Sequence, residues 1–160
     1  MDAKENAKML RNWKGMIFIS HDFFHRWRQT VEETVGQQDA RKLVERFWEL
    51  VGQGTAEAYL SKNRDPGNVE DVVTALARAS EVMGETVRVE KDGEAVLLIH
   101  DACPWIDSFR DYGAPGQCQA GCDRWFGATA EGISPGLRVE TAACLAAGDK
   151  TCTRRFTRVL

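Results

Sequence analysis

The stretch TVRVEKDGEAVLLIH, residues 86–100, decides the fold because its apolar residues recur with the period of a strand rather than a helix. Asp92-Gly93 at its centre is typical of the two-residue turn of a β-hairpin. Such a turn places Lys91 opposite Glu94 and predicts two antiparallel strands. The second strand is apolar on both faces, which indicates a central position in a sheet. The shared face of the hairpin is predicted to carry Val87, Val89, Val96, Leu98 and His100.

A first amphipathic helix is predicted before this hairpin, from the N-cap residue Ser20 to Gly36, which is placed to end it. Apolar residues recur behind Ser20 at i, i+4 spacing, as on a helix that buries one face. The residues before Ser20 are ambiguous. Ala7–Trp13 suits a short helix, but Gly15 interrupts the pattern.

Two further amphipathic helices are predicted between Gly36 and the hairpin. The second begins with Asp39 as its N-cap and is weakened at Gly52 and Gly54, although an extension through Ala56, Tyr59 and Leu60 stays open. The third begins with Asn68 as its N-cap and ends at Gly84. Each of these helices must bury its apolar face against the others or against a sheet.

The chain after residue 100 predicts one more helix and a second hairpin. The helix covers Gln117–Ile133, and two strands over Leu137–Ala146 and Thr151–Val159 flank a turn at Gly148-Asp149. The order of elements predicts an α+β fold in which N-terminal helices pack on an antiparallel sheet of about four strands. One further helix is inserted between the two hairpins, and the length of the chain favours a single domain over residues 1–160.

Composition excludes several classes of protein. The 160 residues carry a net charge of -3 without a block of like charge, so neither nucleic acid nor a membrane surface is an expected partner. The N-terminal MDAKENAKML lacks the apolar core of a signal peptide, and the apolar runs are too short to span a bilayer. We therefore expect a cytoplasmic protein whose five cysteines stay reduced.

Four of the five cysteines lie in the C-terminal third and predict a zinc site. Cys118 and Cys122 share one face of the predicted helix, and Cys144 and Cys152 flank the second hairpin turn. Four sulfurs presented to one point suit tetrahedral zinc. Glu140 is an alternative ligand, although it lies four residues from Cys144 on the same strand.

Other interpretations of the thiols remain open. The cysteines also suit buried structural positions, and Cys144 and Cys152 could form a cross-strand disulfide. A further alternative is an iron–sulfur cluster on Cys103, Cys118, Cys122 and Cys152.

The end of the predicted central strand supplies a second group of candidate residues. His100 and Cys103 suit a catalytic pair in which Cys103 is the nucleophile and His100 the base, although a histidine on an apolar face also suits the core. His21 and His25 share a helix face and could hold a metal, but a solvated face is favoured because no third ligand is apparent. The residues expected to contact a ligand are His100, Trp105, Trp125 and Phe126.

Two families resemble this sequence. Cys118, Cys144, Gly148-Asp149 and Cys152 resemble the 4-vinyl reductase domain, a small-molecule-binding module that also forms the sensor region of phenol- and xylene-responsive activators. That resemblance implies zinc beside a ligand pocket. Glu140 stands one residue too far from Cys144 for the family pattern, so Cys122 is the expected replacement ligand.

The second resemblance covers nearly the whole chain. HDFFHRWRQTVEETVGQQDA at 21–40, Cys103-Pro104-Trp105 and GDKTC at 148–152 are similar to proteins described as L-2-amino-thiazoline-4-carboxylate hydrolase-like. The two resemblances imply one fold, similar to transport-particle subunits that hold acyl chains.

Three functions follow from these observations. The first is a cytoplasmic, zinc-binding domain that binds a small hydrophobic or heterocyclic molecule. The alternative is a hydrolase that opens a C–N or C–S bond of a small cyclic amide or thiazoline, with zinc-bound water or Cys103 as nucleophile. The third is a structural or adaptor protein that forms a homodimer through its helices.

Overall fold

The computed structural model describes residues 2–159 and confirms the α+β fold, with helices first and an antiparallel sheet after them. The helices are α1 Ala3–Val35, α2 Gln37–Leu60, α3 Val69–Val82, α4 Pro104–Asp111 and α5 Pro115–Ile133. The strands are β1 Thr86–Asp92, β2 Ala95–Ala102, β3 Leu137–Ala143 and β4 Cys152–Arg158.

The sheet has the strand order β1-β2-β4-β3, so β2 is central as predicted. The predicted hairpin register is wrong, because Lys91 lies opposite Val96 rather than Glu94. The turn uses Gly93 and Glu94, with Gly93 in the left-handed region at φ 62°. The observed register differs from the predicted one by two residues. Because side chains alternate between the faces of a strand, the five residues predicted to share a face still share it.

Helix α1 is longer than predicted and begins at Ala3 rather than after Ser20. Asp2 caps it through a capping box with Glu5. Ser20 lies inside the helix, where its hydroxyl donates to the carbonyl of Ile17 at 2.8 Å. Gly15 does not interrupt the helix, because one exposed glycine costs only about 1 kcal/mol and its neighbours are good helix formers.

Helix α2 begins at Gln37, with Gly36 rather than Asp39 at its N-cap. Asp39 instead pairs with Lys42 at 2.8 Å within the first turns. The helix continues through Gly52 and Gly54 to Leu60, which confirms the alternative in which it extends past the two glycines.

Gly52 has a packing role that the sequence does not reveal. A Cβ atom there would lie 2.5 Å from the carbonyl oxygen of Trp125 on α5. On the facing helix, a Cβ on Gly121 would lie 2.7 Å from Nε1 of Trp48, and one on Gly132 would lie 2.8 Å from Cβ of Ala56. These small residues let the two helices approach closely, and we call this contact the α2–α5 interface.

The third helix and the second hairpin complete the frame. Asn68 caps α3 by accepting the backbone N–H of Asp71 at 3.1 Å, as predicted. Strand β3 ends at Ala143 instead of continuing to residue 146, because the chain turns into a short 3-10 helix, Leu145–Ala147. Gly148 follows in the left-handed conformation, which closes the connection to β4.

Two clusters of buried residues form the core. The larger one lies between α3, α5 and the sheet, and includes Val72, Leu98, Phe126 and Phe156. The smaller, aromatic one joins α1, α2 and α4, and its members are Phe24, Val44, Trp48, Ile106, Phe109, Ala114 and Cys118. No helix within residues 2–159 has the length and apolarity that crossing a membrane requires.

Candidate functional site

A cavity of about 500 Å³ is bordered by residues of both core clusters. Its walls are mainly apolar and aromatic, which suits a small organic molecule. The apolar lining residues come from helices α1 to α5 and from the residue that follows α3, and they are Phe24, Phe47, Trp48, Val51, Ala79, Val82, Met83, Trp105, Ile106, Phe109, Trp125 and Phe126. The polar or ionisable ones are Ser20, Glu85, His100, Cys103, Cys118, Cys122, Cys152 and Arg154.

The four residues predicted to contact a ligand all line this cavity. Trp105 stacks on His21 with ring centroids 3.7 Å apart, and Phe126 packs edge-on against His100 at 6.1 Å. Trp125 is held by a hydrogen bond from its Nε1 to the Thr55 hydroxyl at 3.0 Å. The structure brings these residues to one space, and their contact with a ligand stays a prediction.

His100 forms a buried pair with Glu85 at the cavity wall. Nε2 of His100 lies 2.9 Å from the Glu85 carboxylate and 3.2 Å from the Ser80 hydroxyl. Both members of the pair are largely buried, at 4% and 8% exposure. Within residues 2–159, Nδ1 of His100 has no hydrogen-bond partner.

Arg154 is a candidate site residue that the sequence analysis missed. It is 1% exposed, yet its Nε and Nη1 groups have no hydrogen-bond partner among residues 2–159. Its Nη2 group lies 3.4 Å from the carboxylate of Asp123. A buried guanidinium left this incompletely paired is costly, and such groups are commonly completed by a ligand.

A signal for Arg154 was present in the sequence. Residues on a strand alternate between faces, so Cys152, Arg154 and Phe156 share one face of β4. An arginine between a cysteine and a phenylalanine on an inward face is unusual enough to mark a site.

The cysteines divide into those that border the cavity and one that does not. Cys103, Cys118, Cys122 and Cys152 line it. Cys144 is buried outside it, and its backbone N–H donates to the Asp149 carboxylate at 2.8 Å.

Of the cavity thiols, Cys122 has the surroundings that most favour the thiolate. A hydrogen bond from the Cys118 thiol lowers the pKa of Cys122, and the Arg154 guanidinium acts in the same direction against the effect of burial. The same hydrogen bond raises the pKa of Cys118, and burial adds to the rise. Burial also raises the pKa of Cys152, to about 11. Of the four cavity thiols, Cys122 is therefore the one whose thiolate is favoured.

The proposed pair of Cys103 and His100 is not joined by a hydrogen bond. The contacts of His100 go to Glu85 and Ser80 instead. Burial raises the pKa of the Cys103 thiol well above its usual range, and the Glu85 carboxylate adds to the rise. Cys103 lines the cavity, but this environment disfavours its thiolate.

The predicted zinc ligands do not converge. Within residues 2–159, no three His, Cys, Asp or Glu side chains come together as metal ligands. Glu140 on β3 is exposed and pairs in register with Arg155 of β4. Because Arg154, the preceding residue of β4, lines the cavity, Glu140 lies on the face of the sheet away from it. The side chains as placed do not fit a zinc ion, and zinc binding stays a prediction.

His21 and His25 are buried rather than solvated. They are 4% and 0% exposed and attach α1 to α4. His25 stacks on Tyr112 with ring centroids 4.4 Å apart, and its Nε2 lies 3.0 Å from the Ser108 hydroxyl. Desolvation lowers the pKa of each histidine from 6.5 to about 4, so both are neutral near neutral pH.

Solved structures of low sequence identity share the fold. One is the phenol-responsive sensory domain of the transcription activator PoxR with phenol, with a TM-score of 0.60 and 15% identity, covering 86% of this chain and 74% of that one. Another is a trafficking protein particle complex subunit 3 from Naegleria fowleri covalently bound to palmitic acid. Its TM-score is 0.56 at 15% identity, and the match covers 89% of this chain and 96% of that one.

The sequence itself was compared with curated proteins and with protein families. None of the curated proteins matches it. Residues 16–156 match the family described as L-2-amino-thiazoline-4-carboxylic acid hydrolase, as the second resemblance predicted. The chain belongs to the L-2-amino-thiazoline-4-carboxylic acid hydrolase family.

Proposed function

We propose that the cavity binds a small, mostly apolar organic acid whose carboxylate pairs with Arg154, and that the protein hydrolyses a ring bond of this ligand. The observation that carries the proposal is the incompletely paired guanidinium of Arg154 in a mainly apolar cavity. A carboxylate accepts two parallel hydrogen bonds from one edge of a guanidinium, so it would satisfy one of the donors that the protein leaves free while sharing Nη2 with Asp123.

The size and lining of the cavity support a small heterocycle as the rest of the ligand. About 500 Å³ is at the lower end of the range for small-molecule sites, and aromatic rings offer flat apolar walls. The family description names a carboxylic acid on a thiazoline ring, which combines an anionic group with a small ring. The two solved neighbours hold phenol and palmitic acid, and they support an apolar interior for this fold.

The chemistry is proposed for Cys122 rather than Cys103. The thiolate of Cys122 adds to the electrophilic ring carbon, and the bond from that carbon to nitrogen or sulfur breaks. Water then releases the product from the sulfur. His100, oriented by Glu85, takes the proton from this water and supplies one to the atom that leaves.

Binding and turnover are tested with L-2-amino-thiazoline-4-carboxylic acid and with 2-aminothiazoline, which lacks the carboxylate. Titration calorimetry should show that Arg154→Met weakens binding of the acid by about 10- to 100-fold, since hydrogen bonds to charged groups contribute about 1.5–3 kcal/mol. Binding of 2-aminothiazoline should change little. Arg155→Met is the matched control, because Arg155 lies next in the strand but pairs with Asp92 outside the cavity.

Hydrolysis is measured by mass spectrometry as gain of one water. Cys122→Ser should abolish turnover while the acid still binds, and Cys103→Ser should retain it. Equal binding of the acid by wild type and Arg154→Met would overturn the carboxylate assignment. Full turnover by Cys122→Ser would overturn the nucleophile.

A further inference from the structure

Helix α1 carries an apolar stripe that its own chain leaves largely uncovered. The spacing alternates between four and three residues, which is the heptad pattern of a coiled-coil seam. We call this stripe the α1 seam, and it consists of Met9, Trp13, Met16, Ser20, Phe23 and Trp27.

The five large apolar residues of the α1 seam are exposed, and Ser20 between them is half-buried. Met16 is 63% exposed and Phe23 is 70% exposed, values unusual for such large apolar side chains. No charged residue occupies any of its six positions. A seam of this kind on a helix of 33 residues indicates a missing helical partner.

The seam borders the opening of the cavity. Ser20 lines the cavity from α1, while the exposed side chains of Val51 and Val82 line it from α2 and α3. Nε1 of Trp13 donates to the carbonyl of Val82 at 2.8 Å, which fixes the seam against the end of α3. A helix laid on the seam would therefore cover the opening.

The apolar surface continues from the seam onto α2. Trp27 and Phe47 join the two helices with ring centroids 5.0 Å apart. Leu43 and Leu50 stand exposed on either side of Phe47 at heptad spacing. The uncovered face thus belongs to a pair of helices, which is the shape of half a four-helix bundle.

We propose that a second copy of this chain packs antiparallel on the α1 seam and closes both cavities. Antiparallel pairing about a two-fold axis places Met9 opposite Trp27, Trp13 opposite Phe23, and Met16 opposite Ser20. The same surface then serves both copies, as a two-fold interface requires. Each cavity is incomplete without the partner, because its opening lies on the surface that the partner covers.

The exposed area is sufficient for such a dimer. Apolar side chains of this size present up to about 150–250 Å² each, so nine of them at roughly half exposure leave on the order of 700 Å². A stable interface buries about 800 Å² on each partner, whereas the largest apolar patch of a monomer is about 300–600 Å². The nine are Met9, Trp13, Met16, Phe23, Trp27, Leu43, Leu50, Val51 and Val82.

The spacing of the α1 seam favours a helix over a lipid surface as its occupant. Alternation between four and three residues is the pattern that a facing helix requires, whereas burial in a membrane surface requires no such spacing. Leu10 and Ile19 are also exposed on α1, at 47% and 43%, and together with the apolar residues of α2 they widen the face that a second copy would cover.

Sedimentation velocity of the full chain, from micromolar to submillimolar concentration, tests the proposal. Wild type should sediment as a dimer. Phe23→Glu should raise the dimer dissociation constant by at least about 100-fold, because two charges enter the centre of the interface. Phe18→Glu is the matched control, since Phe18 is 71% exposed on the same helix but points away from the seam. It should leave the dimer intact, and circular dichroism should show both variants folded.

Closure of the cavity has its own readout. Alkylation of Cys122 should be faster in Phe23→Glu than in wild type or Phe18→Glu. A monomeric wild type overturns the proposal, and so does a monomer that sediments with phosphatidylglycerol vesicles through the seam. A dimer that Phe23→Glu leaves unchanged overturns the α1 seam as the interface. Equal alkylation rates in monomer and dimer overturn the closure of the cavity.

Discussion

The α2–α5 interface and the cavity share helices α2 and α5 but are built in opposite ways. In the interface, Gly52 brings two backbones together so closely that a methyl group has no room. In the cavity, large rings enclose space, and Arg154 keeps unpaired donors. The first arrangement provides stability through packing. The second gives up stability to keep a polar site ready, as binding sites commonly do.

The largest expected effect is on the packed side. Gly52→Ala places a methyl group 2.5 Å from the Trp125 carbonyl and 2.8 Å from Cβ of Ala128, so the helices must separate. We expect a loss of about 2–4 kcal/mol in the free energy of unfolding, measured by urea denaturation, as for an overpacked core.

Gly54→Ala is the control for this change. Gly54 lies two residues away on the same helix, and its added methyl group meets nothing within 4 Å. This variant should gain up to about 1 kcal/mol, because alanine is the better helix former. Equal stability of the two variants would show that the close approach of α2 and α5 does not contribute to stability.

Acid should destabilise the contact between α1 and α4 before the α2–α5 interface. His21 and His25 attach α1 to α4 on the cavity side, and desolvation lowers the pKa of each from 6.5 to about 4. The unfolded chain binds these protons more readily than the folded one, so stability is full above about pH 6.5 and falls as the pH drops towards 4. One pKa unit corresponds to about 1.4 kcal/mol, so the loss for the two residues together is on the order of a few kcal/mol.

Urea unfolding at about pH 7 and about pH 4.5 measures this loss. The double variant His21→Gln, His25→Gln should reduce the pH dependence between these values, even if it is less stable at neutral pH. Hydrogen exchange should show α1 opening in acid before α2 and α5. An unchanged slope in the double variant would place the acid sensitivity elsewhere.

A smaller effect of opposite sign is expected in the cavity. Arg154→Met replaces an incompletely paired buried charge by an apolar side chain of similar length. Such replacements are often neutral or stabilising by about 1–4 kcal/mol, so we expect a gain near the low end in the absence of ligand. A clear loss of stability would mean that Asp123 pairs with the guanidinium more strongly than their 3.4 Å separation indicates.

Local signals in the sequence predicted the frame, and tertiary packing decided the rest. The N-cap role of Asn68 followed from its side-chain type. The central position of β2 followed from its apolar residues on both faces. The start of α1 was also encoded locally, because Asp2 and Glu5 form a capping box. The prediction instead placed the N-cap at Ser20. Gly52 could not be interpreted correctly, because a helical glycine looks destabilising until the facing helix is known.

The site shows the same division. The strand alternation that predicts the inward face of Cys152 also places Arg154 there, so this residue was within reach of sequence analysis. The pairing of His100 with Glu85 was not, because it depends on how the end of α3 meets the sheet. Cysteine spacing likewise indicated which sulfurs share a face, but not how far apart the two groups would stand.

The smallest effect is a difference in thiol reactivity, which leaves stability unchanged. With the metal-free protein at neutral pH, iodoacetamide should label Cys122 before Cys103, because the thiolate is the reactive form and only Cys122 has a lowered pKa. Cys118→Ala should slow this labelling, since it removes the hydrogen bond that favours the thiolate. Peptide mass mapping gives the order, and Cys144→Ala is the control outside the cavity. If Cys103 were labelled first, with Cys118, Cys122 and Cys152 protected until a chelator is added, the zinc predicted from the sequence would be supported instead.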